Sequence, residues 1–284
     1  LPVLFTQPQL IITQEGEEEF KKPSGTGAFV MKEYQLGILM LAERNDNFWG
    51  ESYLDAIEFH TATDTTARMN AMMAGEFDIA TGVDLKLIDL VDRAPGVEIV
   101  ASASGQHTNL SMMCDREPTS NLDLRLALKY CIPREQIIKN AFKGYGMIGN
   151  DHQVPPTDPF YCHDIPQRPY DPDKAKHHLK KAGMEGGSLL LETSDQAVTG
   201  SEAIALIYSE GAKGAGLDVQ VKVAPPGSYW SKVWMQVPFC VSGWNPRPTA
   251  DLMLTIANKS DGSWNETQWK NQRFDDLLVQ ARGE

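Results

Sequence analysis

The chain has 284 residues, 42% of them hydrophobic and 23% charged, with a formal net charge of −12. That length supplies one large domain or two ordinary ones with a buried core, and the composition is usual for a globular protein. The acid excess argues against nucleic acid and anionic membrane as partners, because both call for a basic face.

No apolar run approaches the roughly 18 residues of a membrane span; the stretch from Leu36 to Ala42 is far too short. The opening residues Leu1, Val3, Leu4 and Phe5 are apolar, without a start methionine or a signal-peptide pattern, so the chain reads as a mature or trimmed segment. Glu15, Glu17, Glu18 and Glu19 form an acidic run expected to be a solvated loop. Gly25-Thr26-Gly27-Ala28-Phe29 then reads as a tight turn entering a strand over 29–34, with a second strand over 36–41. A polar loop from Arg44 to Gly50 carries Phe48 and Trp49, expected to pack together, and 53–60 alternates as a third strand. Asp64 is placed to cap a helix bearing Ala67, Ala71, Met72 and Met73, which Gly75 stops before a strand over 77–80. Asp84 begins another helix that ends at Pro95-Gly96, and 97–100 reads as a further strand. Helix then strand, twice, with short connections, is α/β texture.

Ser102 to Gln106 is small and polar, a crossing between domains. Residues 110–113 are strand-like, and Asp123 is placed to cap a helix running through Cys131. Pro133, at a first-turn position, starts a helix that turns Ile137, Ile138, Ala141 and Phe142 inward, with Gly144 after its end. Residues 146–171 are proline-rich and aperiodic, a long irregular excursion. Pro172 opens a helix carrying Ala175, Leu179 and Ala182, closed by Gly183. A strand over 189–191, a helix around 203–207 and a period-2 strand through Leu217, Val219, Val221 and Val223 follow. A short helix holds Tyr229, Trp230, Val233 and Trp234, and helices over 252–257 and 274–281 complete the chain.

The stretch from Cys240 to Asp251 organises the rest. A short apolar strand runs into Gly243-Trp244, and Pro246 and Pro248 then hold Asn245 and Arg247 extended, because proline pushes the preceding residue out of the helical region. A large aromatic and a charged fork on a stiff segment at a strand end are expected to form the floor of a binding site.

Catalytic signals are thin. Gly25-Thr26-Gly27 lacks a third glycine and precedes a strand where a dinucleotide fingerprint opens a helix. Gly211, Gly214 and Gly216 lie between a helix and the following strand and read as helix-stop residues. No Gly-x-Ser-x-Gly elbow is present. His152, Cys162, His163, His177 and His178 fit no zinc spacing, so no metal and no cofactor is expected. Asp171 and Asp173 flank Pro172, where capping accounts for them. Three tripeptides starting at Asn109, Asn258 and Asn265 match glycosylation sequons, a pattern that recurs by chance. The four cysteines allow three pairings into two bridges, although Cys131 and Cys240 sit in apolar patterns and read as buried thiols.

Several motifs together resemble the family 5 extracellular solute-binding proteins, the peptide, oligopeptide and nickel group serving ABC importers. Gly25-Thr26-Gly27-Ala28-Phe29 and Glu43-Arg44-Asn45-Asp46-Asn47-Phe48-Trp49-Gly50 are similar to its Gly-Thr-Gly-Pro-Phe and Glu-Arg-Asn-Pro-x-Tyr-Trp-Gly signatures. Met69 to Ala80, Asp123 to Glu135, Tyr170 to Lys176 and Asn271 to Leu278 follow in the same order as their counterparts, so the resemblance covers residues 25–284. It implies an α/β, periplasmic binding protein-like fold of type II, with two lobes of mixed sheets flanked by helices. Residues 1–104 would be a partial first lobe and 105–284 most of the second, the first lobe being incomplete.

The resemblance further implies a periplasmic, non-enzymatic, monomeric subunit that closes over a solute and presents it to a membrane permease. Its ligand contacts would fall on Gly243, Trp244, Asn245, Arg247 and Asp251, with Trp244 stacking on the solute and backbone groups near Gly243 and Asn245 giving directional bonds. Peptide binders of the family often carry an acid about three residues past the tryptophan, to hold a peptide ammonium. Arg247 stands there instead, and a guanidinium repels an ammonium but forks a carboxylate with charge-assisted bonds of roughly 1.5–3 kcal/mol each. An anionic group on the solute is therefore expected to face Arg247, with Asp251 meeting an amine further along; the alternative is that Arg247 pairs with Asp251 or another acid of its own lobe. Alternatives are a ligand-sensing or chaperone module on the same fold, or a hydrolase using His163 and Asp164.

Overall fold

The computed structural model describes residues 15–16, 25–62, 64–83, 85–198, 200–225 and 227–283. The apolar opening residues, Glu17 to Glu19 and the helix start expected at Asp84 lie outside them. The chain divides into two units, Leu1–Ile99 and Val100–Glu284.

In the first unit β1 (Phe29–Gln35), β2 (Leu39–Arg44) and β3 (Ala56–His60) form an antiparallel meander with β2 in the middle. Gly37 turns β1 into β2 at φ 73°, a conformation in which a residue without a Cβ is unstrained. Asn45 ties the two sequence signatures together: its amide donates to the Gly27 carbonyl at 2.9 Å and its backbone N–H to the Ala28 carbonyl at 2.8 Å. Helix α1 (Thr65–Met73) starts where expected, with Asp64 accepting from the Ala67 N–H at 2.7 Å, and it buries Met69. Helix α2 (Ile88–Val91) is a single turn. The strands expected at 77–80 and 97–100 are not formed. A strand exists only as half of a ladder, and neither segment is paired in one among the described residues. Trp49 meets Phe48 at 5.2 Å yet stands 87% exposed, where packing was expected.

The second unit is built on a mixed sheet in the order β4-β7-β5-β6, comprising β4 (His107–Met112), β5 (Ser188–Thr193), β6 (Asp218–Val223) and β7 (Phe239–Trp244). β5 runs parallel to β6 and β7, and β4 antiparallel to β7. Five of the six residues of β7 are buried, as an interior strand requires. Helices α3 (Leu122–Tyr130), α5 (Pro172–Lys181) and α6 (Ser201–Gly214) bring Leu124, Leu128, Leu179 and Tyr208 onto Leu191, Val219, Phe239 and Val241 of the sheet. Each such side chain contributes about 1.5–3 kcal/mol by leaving water. The Tyr208 hydroxyl, otherwise a stranded polar tip, donates to the Leu128 carbonyl at 3.1 Å.

Local differences from expectation have local causes. Asn121 rather than Asp123 caps α3, accepting from the Asp123 and Leu124 N–H groups, which leaves the Asp123 carboxylate free to meet His178 Nδ1 at 2.7 Å. Pro133 sits at the cap of α4 (Arg134–Asn140), one position before its first turn, and the short α7 (Tyr229–Lys232) precedes β7. Gly211 and Gly214 lie within α6 and are not helix stops. A Cβ on either would come within 2.6 Å of the Cys131 carbonyl or the Tyr170 hydroxyl respectively, so close packing requires them. Gly216, at φ 82°, does end the helix segment. All four cysteines are free, and burial pushes the Cys131 and Cys240 thiols up to about 12.

Candidate functional site

Because β5, β6 and β7 are parallel, their carboxyl ends share one edge of the sheet, and antiparallel β4 begins there with His107 opposite Trp244. Ligands of open α/β sheets bind outside such carboxyl ends. From this edge Asn245-Pro246-Arg247-Pro248 leads into α8 (Ala250–Ala257), capped by the Thr249 hydroxyl, which accepts from the Leu252 N–H at 3.1 Å.

Arg247 is half-buried. Its guanidinium carbon lies 5.8 Å from the Trp244 ring centre and 5.7 Å from that of Trp264. One nitrogen, Nη1, donates to the carbonyls of Asn245 and Pro246 at 3.0 and 3.2 Å. Among the described residues no carboxylate pairs with it. Asp251, the expected candidate, is held by Arg282, whose Nε lies 2.8 Å from Oδ1, and by the Thr255 hydroxyl at 3.3 Å. The recess that Arg247 shares with Gly105, Pro155, Asp158 and Met253 is only about 20 Å³, room for a single water.

Beneath the guanidinium lies a triangle of indoles. Trp234, Trp244 and Trp264 have ring centres 6.0, 6.1 and 6.4 Å apart, tilted at 54–70°, within the favourable range for aromatic pairs. Met253 and Ala257 of α8 close the cluster. At its base is Glu266, 3% exposed. Its Oε1 accepts from Asn109 Nδ2 at 2.6 Å and Trp244 Nε1 at 3.0 Å, and its Oε2 from Trp234 Nε1 at 2.6 Å. No cation bridges to it among the described residues; three neutral donors hold it. His107 stands beside this group, its Nδ1 3.0 Å from the Gly105 carbonyl and its Nε2 buried without a partner. Burial, helped by Arg247, pushes its imidazole below the ordinary value against the pull of the Gly105 carbonyl and Glu266.

The structure brings Trp244, Asn245 and Arg247 together and places Asp251 in a different ion pair. Gly243 is paired with Thr108 in the ladder, and a Cβ there would collide with the Val198 side chain and the Ala197 carbonyl. The lack of a Cβ there serves close packing. Trp244, expected as an open stacking wall, is only 5% exposed; Trp264, at 44%, has the free ring surface. Glu266 escaped the sequence reading because Asn265-Glu266-Thr267 has the form of a surface sequon, whereas Asn265 is buried and donates to the Lys259 and Trp269 carbonyls. The sequence carried no clear signal for it, since Lys270 stands four residues on, where an ordinary helical ion pair would be expected for such an acid. His163 packs edge-on against the Tyr161 ring at 4.8 Å, and no cluster of three or more metal-ligating side chains occurs among the described residues.

The class defined by this fold is the type II periplasmic binding protein, seen in two solved structures. One is the periplasmic binding protein DppA of Helicobacter pylori in complex with the peptide STSA, with a TM-score of 0.73 and 26% identity over 92% of this chain and 52% of that one. The other is the ABC transporter substrate-binding protein CtaP of Listeria monocytogenes, with a TM-score of 0.80 and 21% identity over 98% of this chain and 57% of that one, a likeness of fold alone. Residues 1–266 match the family described as bacterial extracellular solute-binding proteins, family 5 Middle, and the chain belongs to it. Curated relatives include the glutathione-binding protein GsiB of Escherichia coli, 27% identical over 94% of this chain and 54% of the relative. Heme-binding protein A of Haemophilus influenzae is 25% identical over 92% and 49%. The chain therefore spans about half the length of the curated relatives it matches. No helix among the described residues is long and apolar enough to cross a membrane.

Proposed function

We propose that the protein is the periplasmic solute-binding component of an ABC importer, capturing a peptide-like or other small polar solute that bears an acidic group and delivering it to the permease. It acts as a monomer, without chemistry on the solute, and residues 1–104 and 105–284 belong to its two lobes. Family membership and relatives that bind glutathione, heme and peptides support the transport role. All three kinds of ligand carry carboxylates.

The observation that carries the acidic group is Arg247, a guanidinium at the carboxyl edge of the sheet whose bonds go to two neighbouring carbonyls and, among the described residues, to no carboxylate. A solute carboxylate on its remaining donors gains charge-assisted hydrogen bonds of about 1.5–3 kcal/mol each, and a solute ammonium there is repelled. Mass spectrometry of whatever co-purifies with the protein under native conditions tests this. A solute with a carboxylate or phosphate is expected; a cationic solute with no acidic group overturns the reading.

A further inference from the structure

We propose that Glu266 is the positioning residue for Arg247, acting through the tryptophans and not by direct contact. The inference rests on the reading of Arg247 as the solute anchor, and its test uses no solute, so the two can fail separately. An arginine side chain with four rotatable bonds, tethered by one nitrogen to two carbonyls of its own loop, is poorly fixed by those bonds alone. What fixes its plane is the pair of ring faces at 5.8 and 5.7 Å. The orientation of the Trp244 face depends on its edge, because the only hydrogen-bonding group of an indole is Nε1–H, and here that group is given to Glu266. Trp234, which abuts both Trp244 and Trp264, is fixed by the other oxygen of the same carboxylate.

Two oxygens thus set the tilt of Trp244 and Trp234; the first is one of the two rings on which the guanidinium rests, and the second abuts the other, Trp264. A buried carboxylate accepting an indole N–H also pushes electron density into the ring, which deepens its attraction for a cation over the face. Glutamine cannot substitute. Three donors converge on two acceptor oxygens, so a carboxamide must turn its own NH2 toward at least one N–H group. One indole or the Asn109 amide is then left facing a donor.

The test is nuclear magnetic resonance of uniformly 15N,13C-labelled protein without added ligand, comparing wild type with Glu266→Gln and Trp244→Phe. In the wild type the Nε1–H signals of Trp234 and Trp244 are expected downfield of those of the other four tryptophans. The Arg247 side-chain signals, identified by their loss in Arg247→Ala, are expected upfield through ring currents. Glu266→Gln is expected to move at least one of the two indole signals upfield and to return the Arg247 signals toward ordinary arginine values. Trp244→Phe, which keeps an aromatic but removes the N–H, is expected to displace Arg247 in the same direction even if the glutamine variant does not fold. Arg247 signals unmoved in Trp244→Phe, or unmoved in a folded Glu266→Gln whose indole signals have shifted, overturn the inference.

Discussion

Two arginine sites in the second unit follow opposite plans. At Asp151, Arg134 Nη2 and Arg168 Nη1 each meet one carboxylate oxygen, with Lys129 Nζ 3.8 Å from Oδ2. Arg168 also lies over the Tyr130 ring at 5.3 Å. At the sheet edge, Arg247 has aromatic faces as well, but the nearby acids Glu266 and Asp251 are committed elsewhere, and Asp158 in the same recess accepts from the Phe160 N–H. Both places combine arginine with aromatic rings; only the first adds a carboxylate. The paired arginines pin the irregular 146–171 segment to α3 and α4, and that is structure. Arg247 has no such carboxylate among the described residues, and on the proposed function its charge serves the solute.

The knot at Asp151 is itself undercompensated, with three cations on one acid. Burial, reinforced by Arg168, Arg134 and Arg125, holds the Lys129 ammonium below its usual value despite Asp151. Removing that acid is therefore the most damaging change expected. Asp151→Asn tolerates the left-handed φ of 55° at this position, so it isolates the charge, and urea denaturation should show a loss of about 3 kcal/mol. A change within experimental error would erase the distinction between the two sites. Glu266→Gln comes next, at about 1–3 kcal/mol by the same measurement, because one buried donor is left unanswered.

Arg247→Ala should cost less than about 1 kcal/mol of stability, the scale of an exposed cation–π contact. A loss as large as that at Asp151 would mean that Arg247 is structural too. The smallest effect belongs to His107. Its imidazole is held below the ordinary 6.5, so between its folded value and 6.5 the unfolded chain binds more protons than the folded one. Stability from this group is present above about pH 6.5 and is lost as pH falls below it. His107→Gln should flatten that part of the stability profile; an unchanged profile would show that the burial of His107 has no such consequence.

Much of this was legible in the residues themselves. Proline on both sides of Arg247 marked a stiff segment after a strand, since proline acts on backbone angles locally. The caps at Asp64 and Asp171 were equally local and formed as expected. What the sequence did not disclose depends on partners distant along the chain. Residues 77–80 and 97–100 have strand-like composition, but composition does not supply a neighbouring strand. Asn121 outcompetes Asp123 as a cap because it lies one residue before the helix, a boundary finer than periodicity resolves. Glu266 is 22 residues from Trp244, 32 from Trp234 and 157 from Asn109, and only the folded sheet brings those donors together.

The most direct measurement is calorimetric titration of wild type and Arg247→Ala with the acidic solute that co-purifies, and with the same solute after its acidic group is converted to a neutral amide. The account predicts at least roughly tenfold weaker binding of the acid by Arg247→Ala and a much smaller difference between the two proteins for the amide. Equal affinity of both proteins for the acid would contradict it.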